Sequence, residues 1–117
     1  NSPEDAIVRL EALAQSGDAK ISEKALRYQV SSAIDLIVQV SRYSDGSRRI
    51  GAISEVQGLG ADGNYQVVPL FHMSRMVRGA DGRLAGQLEA SGEIPSFMHE
   101  IIDNNLPFSA SKFSKIA

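Results

Sequence analysis

Arg48 and Arg49 stand side by side just after an Asp45-Gly46 dipeptide. A guanidinium can neutralise charge on a phosphoryl group, and strand alternation sends consecutive side chains to opposite faces, so one of the two could reach a ligand. The alternative is a solvated or salt-bridged pair on a hairpin. Gln39, set among Ile37, Val38 and Val40, has two readings of the same kind. It either faces solvent or holds a specific hydrogen bond. Glu55, polar in a second apolar stretch, shares them.

Other constellations carry less chemistry. Gly58-Leu59-Gly60-Ala61-Asp62-Gly63 satisfies the letters of a dinucleotide fingerprint, but Tyr65-Gln66-Val67-Val68 follows. That is a strand where the fingerprint needs a helix N-terminus, so the glycines are read as a hairpin loop. No Gly-x-x-x-x-Gly-Lys-Ser/Thr string occurs, so no phosphate-cradling loop of that kind is expected. His72 and His99 are the sole histidines and there is no cysteine. Two histidines without companions do not define a metal site, and none is assigned. With no Gly-x-Ser-x-Gly elbow either, the chain alone is not expected to be an active enzyme.

The elements that position these residues follow from capping signals and periodicity. Ser2-Pro3-Glu4-Asp5 predicts a helix start with a capping box, and Ile7, Leu10, Leu13 and Ala14 make an apolar stripe that ends at Gly17-Asp18. Ser22 caps a second helix through Ala25, Leu26, Gln29, Val30 and Ala33. From Ile34 the period becomes two, which predicts a strand to about Tyr43. Arg48–Val56, Tyr65–Met73 and Arg83–Glu89 follow as three more, with Pro69 hinting at an edge or a bulge. Asp45-Gly46, Asp62-Gly63 and Asp81-Gly82 mark the turns. Pro95-Ser96 opens a last helix with Phe97, Met98, Ile101 and Ile102, stopped at Asn104-Asn105. The chain divides into two helices over 1–33, a β-meander over 34–91, a helix over 92–106 and a docked or frayed tail over 107–117. The expected class is α+β: two helices, an antiparallel meander of about four strands, and a C-terminal helix.

Composition bounds the partners. Among 117 residues, twelve Lys and Arg against fourteen Asp and Glu give 12 − 14 = −2. There is no basic field to hold a nucleic acid or an anionic membrane. No apolar run approaches the ~20 residues of a membrane-spanning helix, so direct insertion is not expected.

Ala33-Ile34-Asp35-Leu36-Ile37-Val38-Gln39, Arg42, Asp45-Gly46-Ser47-Arg48-Arg49 and Ile53-Ser54-Glu55-Val56 together form an ordered signature. It resembles the C-terminal part of the type II/type IV secretion ATPases, in the CpaF-type branch that powers assembly of Flp (tight-adherence) pili. Asn1-Ser2-Pro3 with Ala6, Arg9, Leu10 and Glu11 looks like the continuation of that family's His box, of which Asn1 would be a remnant. Gly58, Leu70-Phe71, Gly79, Asp81-Gly82, Gly86, Gly92, Pro95 and Phe97 fit the same tail. Leu88 departs from it, standing where an aromatic residue is expected, and Asn104–Ala117 has no counterpart.

The resemblance implies the C-terminal portion of a RecA-like α/β P-loop ATPase domain. The parent would be a homo-hexamer using ATP and Mg²⁺, cytoplasmic and peripheral to a bacterial inner membrane, working with inner-membrane pilus or secretion platform proteins. Walker A and B motifs would lie upstream of Asn1, leaving this chain catalytically silent. Gln39, Arg48, Arg49 and Glu55 would then lie near nucleotide or at a subunit boundary. The competing expectation is a stand-alone α+β interaction module of a pilus or secretion apparatus, docking through apolar groups such as Leu59, Phe71, Met73, Met76 and Phe97.

Overall fold

The computed structural model describes residues 2–17 and 21–115 of the chain. Asn1, Asp18 and the last two residues of the tail lie outside the described residues. The elements run α1 (Pro3–Gln15), α2 (Glu23–Ala33), β1 (Leu36–Arg42), β2 (Arg48–Leu59), β3 (Tyr65–Arg78), β4 (Leu84–Ala90), α3 (Met98–Asp103) and a short 3₁₀ turn at Ala110–Phe113. The class is α+β, with a four-stranded sheet in the order β1-β2-β3-β4.

Both long helices begin where their caps dictate. The Ser2 hydroxyl accepts the Asp5 amide at 3.1 Å while the Asp5 carboxylate accepts the Ser2 amide at 3.2 Å, a reciprocal box with Pro3 in the first turn. Ser22 accepts the Ala25 amide at 3.1 Å, and Arg27 reaches back one turn to Glu23 at 2.7 Å. The predicted α1 stripe needs correcting. Only Ile7 is buried, whereas Leu10 and Leu13 are 39% and 71% exposed. The cluster that receives Ile7, formed by Leu26, Val30 and Val56, is too small to cover more than one turn of the helix.

The three hairpins share one turn. In each, a three-residue loop closes on a glycine with positive φ: Gly46 at 85°, Gly63 at 80° and Gly82 at 81°. The glycine amide donates to the carbonyl three residues back, at Tyr43, Gly60 and Gly79, over 2.9, 3.0 and 3.0 Å. A left-handed residue at that position lets a short loop match the strand twist, and glycine takes it without a Cβ penalty. Because the loops are so short, the strands run further than their apolar patterns suggest. β2 continues from Val56 to Leu59, and β3 continues from Met73 to Arg78. Pro69 does not interrupt β3; the irregularity falls instead between Ser74 and Val77, where the antiparallel register with β4 slips.

Contacts divide the chain into two compact units, residues 1–37 with 54–68, and residues 38–53 with 69–117. The first is built on Ile7, Leu26, Val30 and Val56, with Ile21, Ile34, Ile37, Tyr65 and Val67 packed around them. The second is built on Leu70, Met98 and Phe113, with Phe71, Ile101 and Ala110 against them. The Phe113 ring lies 5.6 Å from Phe71 and 5.5 Å from Phe108, both tilted, so residues 108–113 are docked rather than frayed.

Candidate functional site

The structure places Arg48 and Arg49 at the start of β2 in different environments, as alternation requires: Arg48 is exposed and Arg49 is half-buried. The Arg49 guanidinium is engaged on three sides. Its Nε donates to the Ser47 hydroxyl at 3.0 Å, while Nη2 pairs with the Asp45 carboxylate at 3.3 Å and donates to the Leu84 carbonyl. It also lies 6.0 Å from the centroid of the Tyr43 ring. Leu84 is the first residue of β4, so the arginine ties the β1–β2 turn to the β3–β4 turn. Arg78 makes a second tie, donating to the Gly82 carbonyl at 2.6 Å and to the Ser44 hydroxyl at 2.8 Å.

Asp45 is the hub of this arrangement, with a side chain only 6% exposed. Its carboxylate accepts from the Ser47 amide at 3.0 Å, from the Ser47 hydroxyl, from Arg49 and from the Leu84 amide at 2.8 Å. The Ser47 hydroxyl, the Leu84 amide and the Ser47 amide, with Arg49 adding its charge, hold the Asp45 carboxyl far below the usual carboxylate range. The sequence marks Asp45 as half of a turn dipeptide and as a member of the ordered signature, not as a hub. The Asp-Gly spacing shows the local bond to Ser47, but nothing local announces Leu84, which lies 39 residues away.

The other expected site residues do not join this cluster. Gln39 is half-buried in β1 and is not without an interaction partner. Glu55, 3% exposed, belongs to the first unit and accepts from Gln57 Nε2 at 3.0 Å. Asn1 lies outside the described residues. His72 and His99 are exposed, and His99 Nδ1 lies 2.8 Å from the Ser96 carbonyl. Among the described residues no three His, Cys, Asp or Glu side chains gather closely enough to hold a metal ion. The Gly58–Gly63 stretch forms the end of β2 and the β2–β3 turn, as the loop reading expects.

A second polar cluster in the first unit went unpredicted. Tyr65 donates its hydroxyl to Glu11 at 3.0 Å, and Arg27 Nε sits 3.7 Å from the same carboxylate, joining β3, α1 and α2. Partial burial, then the hydrogen bond to Glu11 and its charge, push the Tyr65 hydroxyl up to about 12. Beside it, Glu23, Lys24, Arg27, Leu59, Gly60, Ala61 and Gly63 line an open groove of about 600 Å³. Arg27, one of the two cations in that lining, is already paired with Glu11 and Glu23.

The apolar groups expected to form a docking patch, Leu59, Phe71, Met73, Met76 and Phe97, are all half-buried. Exposed apolar groups occur in both units, among them Leu13 in the first. Val38, Val40 and Ile50, in the first hairpin, are 51%, 64% and 42% exposed. No helix of the described residues is long and apolar enough to cross a membrane. No protein-family model matches the chain, and no curated protein matches it either.

Proposed function

We propose that this chain is the C-terminal part of a secretion or pilus-assembly motor ATPase of the CpaF-type branch, a hexamer that couples ATP hydrolysis to pilin export. The observation that carries this reading beyond the signature itself is the run Leu36-Ile37-Val38-Gln39-Val40 in β1. Near-continuous apolar strands belong in the interior of sheets covered on both faces. Here the run lies in an edge strand with Val38 and Val40 largely exposed, which fits a strand whose cover is supplied by the rest of a larger domain.

In that parent, ATP and Mg²⁺ bind through motifs upstream of Asn1, on the cytoplasmic side of a bacterial inner membrane beside the platform proteins. Gln39, Arg48, Arg49 and Glu55 are the residues of this chain assigned to the nucleotide neighbourhood or the subunit boundary. Arg49 is occupied by Asp45, Ser47 and Leu84, so its part is positioning: it holds the two turns together. Arg48, exposed on the strand next to it, is the better placed to reach a phosphate or a neighbouring subunit.

An arginine that stabilises charge on a transferring γ-phosphoryl contributes about 10³ to 10⁵ in rate. Arg48→Ala and Arg49→Ala in the full-length ATPase should therefore lower turnover, and Arg9→Ala on the exposed face of α1 should not. Equal turnover in all three variants would retire the assignment. The chain by itself should give no heat of ATP binding in titration calorimetry, and tight binding would contradict the proposal as a whole.

A further inference from the structure

The three Asp-Gly turns form a comparison built into one molecule. They share loop length, the positive φ of the glycine, and the glycine-amide hydrogen bond. In each, the aspartate accepts the amide two residues on: Ser47 for Asp45, Asn64 for Asp62 and Arg83 for Asp81, all at 3.0 Å. They differ in what else holds the carboxylate. Asp45 has three further donors, the Ser47 hydroxyl, Arg49 and the Leu84 amide, and is nearly enclosed. Asp62 has one, Asn64 Nδ2 at 3.1 Å, and is exposed. Asp81, also exposed, is held by the Arg83 amide.

Among aspartyl dipeptides Asp-Gly is the most open to spontaneous rearrangement, because glycine puts no side chain in the way of its own nitrogen. The amide nitrogen of the glycine attacks Cγ of the aspartic acid. A C–N bond forms, the carboxyl C–OH bond breaks, and the hydroxyl leaves with the amide proton as water. The cyclic succinimide then takes up one water. Opening at the side-chain carbonyl restores aspartate, and opening at the main-chain carbonyl yields isoaspartate, whose backbone is longer by one methylene. No oxidant or cofactor enters. The carboxyl must first turn off its donors to present Cγ, so each donor slows the reaction.

We propose that Asp81-Gly82 is the isoaspartate-forming site of this chain, with Asp62-Gly63 slower and Asp45-Gly46 protected by the bonds that lace the two turns together. A net hydrogen bond shifts a local equilibrium by about fivefold. One extra donor places Asp62 about fivefold behind Asp81, and three place Asp45 on the order of a hundredfold behind it. The reactive form is the neutral carboxylic acid, and the same donors keep the Asp45 carboxyl ionised. The product would break the closing bond from the Gly82 amide to the Gly79 carbonyl and loosen the β3–β4 turn.

The experiment is a time course of the purified full chain at mildly acidic pH and body temperature, digested and mapped by mass spectrometry with electron-transfer fragmentation to distinguish isoaspartate. The expected order is Asp81, then Asp62, then Asp45. A parallel sample unfolded in urea should show the three rates converging, since the local sequences are alike. Arg49→Ala should raise the rate at Asp45 while leaving Asp62 unchanged. The proposal is overturned if Asp45 reacts as fast as Asp81 in the folded chain, or if the folded ranking persists unchanged in urea.

Discussion

Arg49→Ala in the isolated chain, where no nucleotide chemistry can contribute, measures what the tie between the turns is worth to the fold. The substitution leaves the half-buried Leu84 carbonyl without its side-chain donor and removes the bond from Nε to the Ser47 hydroxyl. A net hydrogen bond contributes about 1 kcal/mol, and the guanidinium near the Tyr43 ring adds about 0.5 kcal/mol. The ion pair to Asp45 is made by a guanidinium side chain that is 27% exposed and is left out of the sum, giving a loss of about 2.5 kcal/mol. For a domain of this length that lowers Tm by about 10 °C, read by circular dichroism with a urea titration alongside. Arg49→Lys keeps the charge but not the planar fork that serves Ser47 and Leu84 together, so it should recover less than half of the loss. A loss below about 0.5 kcal/mol for the alanine variant would refute the reasoning, because the tie would then hold nothing. The result also bears on the motor assay, since turnover lost by Arg49→Ala must be compared at equal folded fraction.

Two more outcomes test the two ends of the second unit. Leu70 is 1% exposed between Met98 and Phe113, so Leu70→Ala should cost about 3 to 4 kcal/mol, from three lost methylene equivalents plus a cavity, measured by urea denaturation. A cost under about 1 kcal/mol would mean that α3 and the 3₁₀ turn are not seated on β3 as described. Asp45→Asn should destabilise the chain at neutral pH. The Asp45 carboxyl is held below its ordinary value of 3.8, so its contribution is complete above that pH and is lost as the pH falls through the lower, folded value. The stability gap between wild type and variant should therefore narrow in strong acid, and a gap that stays constant there would count against the hub.

Much of this fold was legible because its signals are local. Ser2 with Asp5 and Ser22 with Ala25 are contacts across three residues, and Asp-Gly fixes each turn within five. The class, the element order and the resting place of the Gly58–Gly63 glycines followed from them. What failed was whatever depends on the neighbour across space. Period alone marks the α1 stripe as core because it cannot count the partners available to cover it. The pattern shortens the strands because Leu59 and Val77 lie beyond the clearest alternation, yet the short turns keep the ladder going. The hub was invisible for the same reason: Asp45 and Arg49 sit four apart in the sequence, but Leu84 completes their geometry from the far end of the meander.

That separation sets an order of events when the polypeptide is made. The first hairpin leaves the ribosome with its aspartate facing water, and the backbone groups it needs are still 39 residues from being translated. At about 5–20 residues per second that interval is about 2 to 8 seconds, long against the microseconds in which a hairpin closes. A corner tied by many bonds in the finished molecule is therefore left open for seconds after its first half has been made.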